Sequence, residues 1–151
     1  MTAALVANVL ATGVMVGVIW MVQLVHYPLF AAVGEGEFVA YHSEHVKLIT
    51  LIVGPAMLVE LMTALVLIAA PPRGVGAGPM WVGMALVAVA WGTTAIFSVP
   101  MHDALASGFD EKAHASLVST NWLRTLAWSA RGALMAWALT RALGQGAPGV
   151  S

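Results

Sequence analysis

The chain has 151 residues, 60% hydrophobic and 9% charged, with a net charge of −1 and no cysteine. Soluble domains carry roughly a quarter charged residues, so this composition argues against a water-soluble fold and makes the lipid bilayer the expected partner. Without cysteine there are no thiolate ligands, disulfides or iron–sulfur clusters, and the near-zero charge gives no sign of nucleic-acid binding.

A bilayer core of ~30 Å takes about 20 apolar residues as helix, and four runs qualify by eye: 4–25, 48–70, 80–99 and 122–141. The first lacks a basic lead-in and is longer than a signal-sequence core, so it reads as a retained helix. Its polar groups Asn8, Thr12, Gln23 and His26 share one stripe with Met15 and Ile19 at helical spacing. His26 and Pro28 close it, and Gly34-Glu35-Gly36-Glu37 reads as a flexible break within a connection from Pro28 to Glu44. Phe38, Tyr41, His42 and His45 resume helical spacing, so the second helix spans about 38–70 and starts outside the hydrocarbon. Its inner stripe is His42, His45, Ile49, Ile52, Ala56 and Glu60. The segment from Pro71 to Pro79 is a short turn.

The third helix, 80–99, carries Met84, Trp91, Thr94 and Ser98 on one face, aimed at His102 beyond Pro100. A second long connection from Pro100 to Asn121 contains His114. The fourth helix, about 120–141, aligns Asn121, Arg124, Trp128, Arg131 and Met135. Residues 144–151 are Gly/Pro-rich and expected to be disordered. The order of apolar helix, His and Pro, polar connector, His and apolar helix occurs twice, a weak tandem pattern.

The expected fold is all-α: one integral-membrane antiparallel four-helix bundle over residues 1–143. Up-down-up-down tracing puts all five histidines at one membrane face. The short-turn side holds Arg73 and Arg141, and the histidine side holds Lys47, Lys112, Arg124 and nearly all the acids. This multi-pass reading places both termini in the cytoplasm and the histidine face outside.

Imidazole is the commonest protein ligand for transition metals and haem iron. His26, His42, His45 and His102 stand at one level on three helices, and His42-x-x-His45 has the i, i+3 spacing of bundle metal sites. They are the expected ligands of iron, copper, zinc or haem b, with Glu44 and Asp103 adjoining in sequence. The competing reading is that histidines gather there because polar connectors do. Glu60 and Arg131 lie ~15–18 Å deep at 1.5 Å per residue. A charge at that depth costs at least ~2.5–3.5 kcal/mol on insertion scales, so they are expected to pair, as a register-fixing bridge or as a relay. Arg124, one heptad from Arg131, is placed to hold a carboxylate, a haem propionate or an anionic oxygen, or to snorkel to the headgroups. Trp91 and Trp128 face inward, either as core or as walls of a pocket for a lipophilic aromatic molecule.

Val99-Pro100, Ala104-Leu105 and Asn121-Trp122-Leu123-Arg124-Thr125, with Thr12-Gly13 in the first helix, resemble the anthrone-oxygenase-like four-helix membrane proteins. The resemblance covers the helical layout and rests mainly on residues 99–125. It implies a polar site at Asn121 and Arg124, with Gln23 beside it, and an oxygenase acting on polycyclic phenolic substrates. The chain departs from that family at His102 and Asp103, where members usually carry Asn, and in possessing His26, His42 and His45. Two function classes follow: a membrane oxidoreductase or oxygenase with a histidine-bound metal or haem, or a non-enzymatic carrier, metal-binding accessory subunit or scaffold.

Overall fold

The computed structural model describes residues 2–144; the expected disordered tail lies outside the described residues, apart from Gly144. Those residues form four helical rods and, among them, no strand. The first rod is α1 (Thr2–Met21), continued through a π-helical turn over Val22–His26, α2 (Tyr27–Leu29) and a 3₁₀ turn over Phe30–Ala32. The second is α3 (Glu35–Ala69). The third is α4 (Ala77–Thr93), a π-helical turn over Thr94–Ser98 and α5 (Val99–Leu105). The fourth is α6 (Glu111–Gly144).

Three rods are long and apolar enough to cross a membrane: Ala3–Ala32, Glu35–Ala69 and Ala77–Leu105. The fourth, Glu111–Gly144, is also long but more polar, and it is not among these three. Its polar groups explain the difference, because Asn121, Arg124, Thr125 and Arg131 are all buried against the other three rods. The rods close into a bundle in which α1 packs on α3 and α6, and α4 packs on α3 and α6.

The two long connectors expected from the sequence are mostly helix. Gly36 lies inside α3, whose first turn begins after Gly34 with Glu37 N–H donating to Gly34 O at 3.0 Å. Acidic Glu35 and Glu37 suit a helix N-terminus. In the second connector only 106–110 is non-helical. There Asp110 Oδ1 accepts from Ala113 N–H at 2.7 Å, a side-chain cap satisfying an otherwise orphan donor. The turn before α4 does match the Gly/Pro signal, with Gly74 and Gly76 at φ 77° and 81°, where a Cβ is disfavoured.

Both π-turns directly precede an X-Pro pair, Tyr27-Pro28 and Val99-Pro100. In each, the N–H of the residue before proline reaches back five residues, Tyr27 to Val22 O and Val99 to Thr94 O. Proline has no N–H to give, and the wider turn lets the rod continue past it. Such bulges recur at functional sites, and here they set the directions of His26 and His102.

The outer surface is apolar, and the interior combines apolar core clusters with buried polar groups. Leu51, Ile96 and Leu10 are 71%, 66% and 65% exposed, while Asn8, Glu60, Asn121 and Thr125 are each 0% exposed. The midsection is a network touching all four rods. Arg131 Nε donates to Glu60 Oε1 at 2.8 Å, Arg131 Nη2 to Asn8 Oδ1 at 3.0 Å and Arg131 Nη1 to Gly83 O at 2.5 Å. Thr12 Oγ1 donates to Glu60 Oε1 at 2.7 Å and Trp128 Nε1 to Glu60 Oε2 at 3.0 Å. Every partner of the two charges is thus supplied from within, as a buried ion pair requires.

Candidate functional site

Four imidazoles meet at one end of the bundle. His26 comes from the first π-turn, His42 and His45 from the first turns of α3, and His102 from α5. His26 Nε2 lies 2.6 Å from His45 Nδ1, and His42 Nε2 lies 2.9 Å from His102 Nδ1. The two pairs adjoin, with the His45 and His102 ring centroids 5.6 Å apart. Phe30, fully buried, packs edge-on against His26, His42, His45 and His102 and holds them as a group. His114 is separate: its Nε2 donates to Tyr27 O at 2.8 Å.

Tyr27, which the sequence reading passed over, joins the rings to Arg124. Arg124 Nη2 donates to Tyr27 Oη at 3.2 Å, and Tyr27 Oη lies 3.0 Å from His102 Nε2. Arginine can only donate. These three contacts are mutually consistent when Arg124 Nη2 donates to Tyr27, Tyr27 to His102 Nε2, and His102 Nδ1–H to His42 Nε2. His45 Nε2 stands outside this chain, buried and without a partner. The place of Tyr27 in the sequence, between His26 and Pro28, was the available signal for it: a polar aromatic between a candidate ligand and a helix-distorting proline.

The donor set is neutral imidazole without thiolate, which suits iron, copper or zinc rather than hard cations. The orphaned His45 Nε2 fits a ligand lone pair turned towards an ion. Among the described residues, however, no group of three or more His, Asp or Glu side chains is arranged to hold a metal. The nitrogens stand in pairs, and a shared ion requires a pair to open by side-chain rotation. The rings pack on one another and on Phe30, so a porphyrin would have to force them apart; the arrangement suits a bare ion better than haem b. Glu44 pairs instead with Lys47 at 2.7 Å on the exposed face, and Asp103 is exposed.

A cavity of about 220 Å³ opens beside the rings. Met15, Ile19, Met57 and Trp128 form its apolar wall, and Tyr27, Thr94, His102 and Arg124 its polar end. A second cavity of about 280 Å³ lies against His26, His45, Tyr41 and Glu44. The histidines therefore stand between two cavities, with His102 on one and His26 and His45 on the other.

Of the expected pocket residues, Arg124 and Trp128 line the first cavity, whereas Gln23, Asn121 and Trp91 do not. Gln23 Oε1 accepts from Asn121 Nδ2 at 2.9 Å and from Thr125 Oγ1 at 3.3 Å. Asn121 Oδ1 in turn accepts from Arg124 Nη2, so Gln23 and Asn121 brace the arginine from behind. Trp91 packs against the apolar core around Met15 and Trp128. Helical spacing gave its inward direction correctly but could not say which interior space it fills.

No family model, curated protein or solved structure matches the chain significantly.

Proposed function

We propose that the chain is an integral-membrane, antiparallel four-helix bundle that acts as a metal-dependent oxidoreductase or oxygenase on a lipophilic aromatic molecule. The observation that carries this reading is that His102, in contact with His42 and His45, also lines a largely apolar cavity together with Arg124. The many exposed large apolar side chains, over buried polar groups partnered mostly from within, support the bilayer, because lipid tolerates apolar surface and interior polar groups need internal partners. Antiparallel tracing with both termini in the cytoplasm puts the rings at the outer face, beside the polar site that the resemblance to anthrone-oxygenase-like proteins implies.

In this reading His26, His42, His45 and His102 hold the metal, which when bound supplies one-electron redox chemistry or polarises an oxygen. The chain's own groups do the rest. Met15, Ile19 and Met57 exclude water from the cavity, Trp128 offers a flat face to an aromatic ring, and Arg124 fixes a polar oxygen. Tyr27 bridges Arg124 and His102 and can pass a proton between the ligand end and the rings.

Elemental analysis with an absorption spectrum of detergent-purified protein tests the proposal. Iron or copper near one ion per chain supports it; zinc alone, which has no redox chemistry, contradicts the one-electron version; protein that carries no metal and takes up none on reconstitution contradicts the proposal. A second reading, a non-enzymatic carrier of a lipophilic molecule, is favoured by the paired nitrogens, which satisfy one another without an ion. The carrier reading predicts a colourless, metal-free protein that still binds ligand in the cavity.

A further inference from the structure

The two interior arginines stand seven residues apart on α6, and their charges are answered differently. Arg131 has the Glu60 carboxylate at 2.8 Å. Arg124, 8% exposed, donates only to neutral oxygens: Asn121 Oδ1, Tyr27 Oη at 3.2 Å and Thr94 Oγ1 at 3.5 Å. Among the described residues no carboxylate pairs with it. Asp103, the acid that also lines the cavity, is exposed and makes no ion pair with it. Arg124 Nε is buried with no acceptor at all.

A guanidinium cannot shed its proton to escape burial, and a desolvated charge is tolerated when it is paired. Here no described residue supplies the pairing group, and the side chain that lacks it lines a largely apolar cavity. We infer that this cavity binds a lipophilic aromatic monocarboxylate, with a carboxylate oxygen accepting from Arg124 Nε–H and the apolar body lying among Met15, Ile19, Met57 and Trp128. The inference rests on the proposed reading of the cavity as a ligand site and specifies the charge of the ligand.

The single charge follows from the wall. Arg124 is its one fixed cation among the described residues, and both nitrogens of His102 are already engaged by Tyr27 and His42. A dianion would bring one unanswered negative charge into the same apolar space. The Gln23–Asn121–Thr125 brace orients the guanidinium before any ligand arrives, and such preorganisation lowers the ordering cost of binding.

The test uses full-length protein in non-ionic detergent, with 2-anthracenecarboxylate and its methyl ester as probes. Energy transfer from tryptophan reports occupancy, since Trp128 lines the cavity. The carboxylate is expected to bind at least tenfold more tightly than the ester, and Arg124→Met to abolish that preference. Equal or tighter binding of the ester, or a preference retained by Arg124→Met, overturns the inference. The comparison of acid with ester on the unaltered chain stands even where the variant fails to fold. Metal content is read on the same preparation: metal-free protein that prefers the acid upholds this inference and defeats only the metal reading, whereas metal-loaded protein without the preference defeats this inference alone.

Discussion

Trp128 Nε1 lies 3.0 Å from Glu60 Oε2, while the same indole lines the cavity. One side chain therefore belongs both to the charge network that ties the four rods and to the wall of the cavity. Register of the bundle and shape of the cavity are set together, because moving α6 along α3 would break the ion pair and displace the indole at once.

The ion pair gives the first prediction. Glu60→Gln and Arg131→Met should each destabilise the protein by about 3–5 kcal/mol, because each leaves a buried charge without its partner. The double variant should recover a good part of the loss. Unfolding in detergent, followed by circular dichroism, measures all three. Losses that simply add would show that the two residues act independently.

Gly83 gives the second. A Cβ built there would stand 2.9 Å from Arg131 Nη1 and 3.3 Å from Met135 Cε, in the gap through which Arg131 reaches Gly83 O. Gly83→Ala should cost about 1–3 kcal/mol, the usual range for overpacking. Gly92, on the same helix, has nothing within 4 Å of such a Cβ. Gly92→Ala should be neutral or stabilising by roughly 0.5–1 kcal/mol, from helix propensity alone. The same thermal measurement compares them, and equal effects at both positions would contradict the close approach.

How far the sequence could be read differs from residue to residue. Glu60 and Arg131 were legible because two charges deep in apolar helices need partners, and equal depth singled out this pair. His26, His42, His45 and His102 could be assigned to one level by counting residues from the ends of the apolar runs. Counting could not give the pairwise nitrogen contacts, which depend on the π-turns before Pro28 and Pro100. Those turns have no simple sequence period, since they change the angle per residue locally. The same limit hid Tyr27, which proline in the next position suggested should leave the helix. Along α6 the polar stripe was legible from helical spacing, and its burial follows from the partners that the other rods supply.

Tyr27 gives the third prediction. Tyr27→Phe removes the hydroxyl that lies between Arg124 and His102 and leaves buried polar groups without it, at a cost of about 1–3 kcal/mol. His114→Ala removes a single hydrogen bond to Tyr27 O and should cost about 0.5–1.5 kcal/mol. The two are compared by unfolding under the same conditions. A phenylalanine variant as stable as the parent would remove Tyr27 from its bridging role.

Topology gives the fourth. The chain has no cysteine, so single cysteines can be placed in an otherwise unaltered background. Glu35→Cys and Asp110→Cys should label from the same side of the membrane, and Arg73→Cys from the other. Labelling of positions 35 and 110 from opposite sides would overturn the antiparallel arrangement.

The central claim, that the imidazoles beside the cavity bind a transition metal, is tested most directly by electron paramagnetic resonance of copper(II)-loaded protein. One copper should bind per chain, with nitrogen hyperfine splitting from imidazole that is lost in His45→Ala and retained in His114→Ala. A copper signal without nitrogen coupling, or one unchanged by His45→Ala, would contradict it.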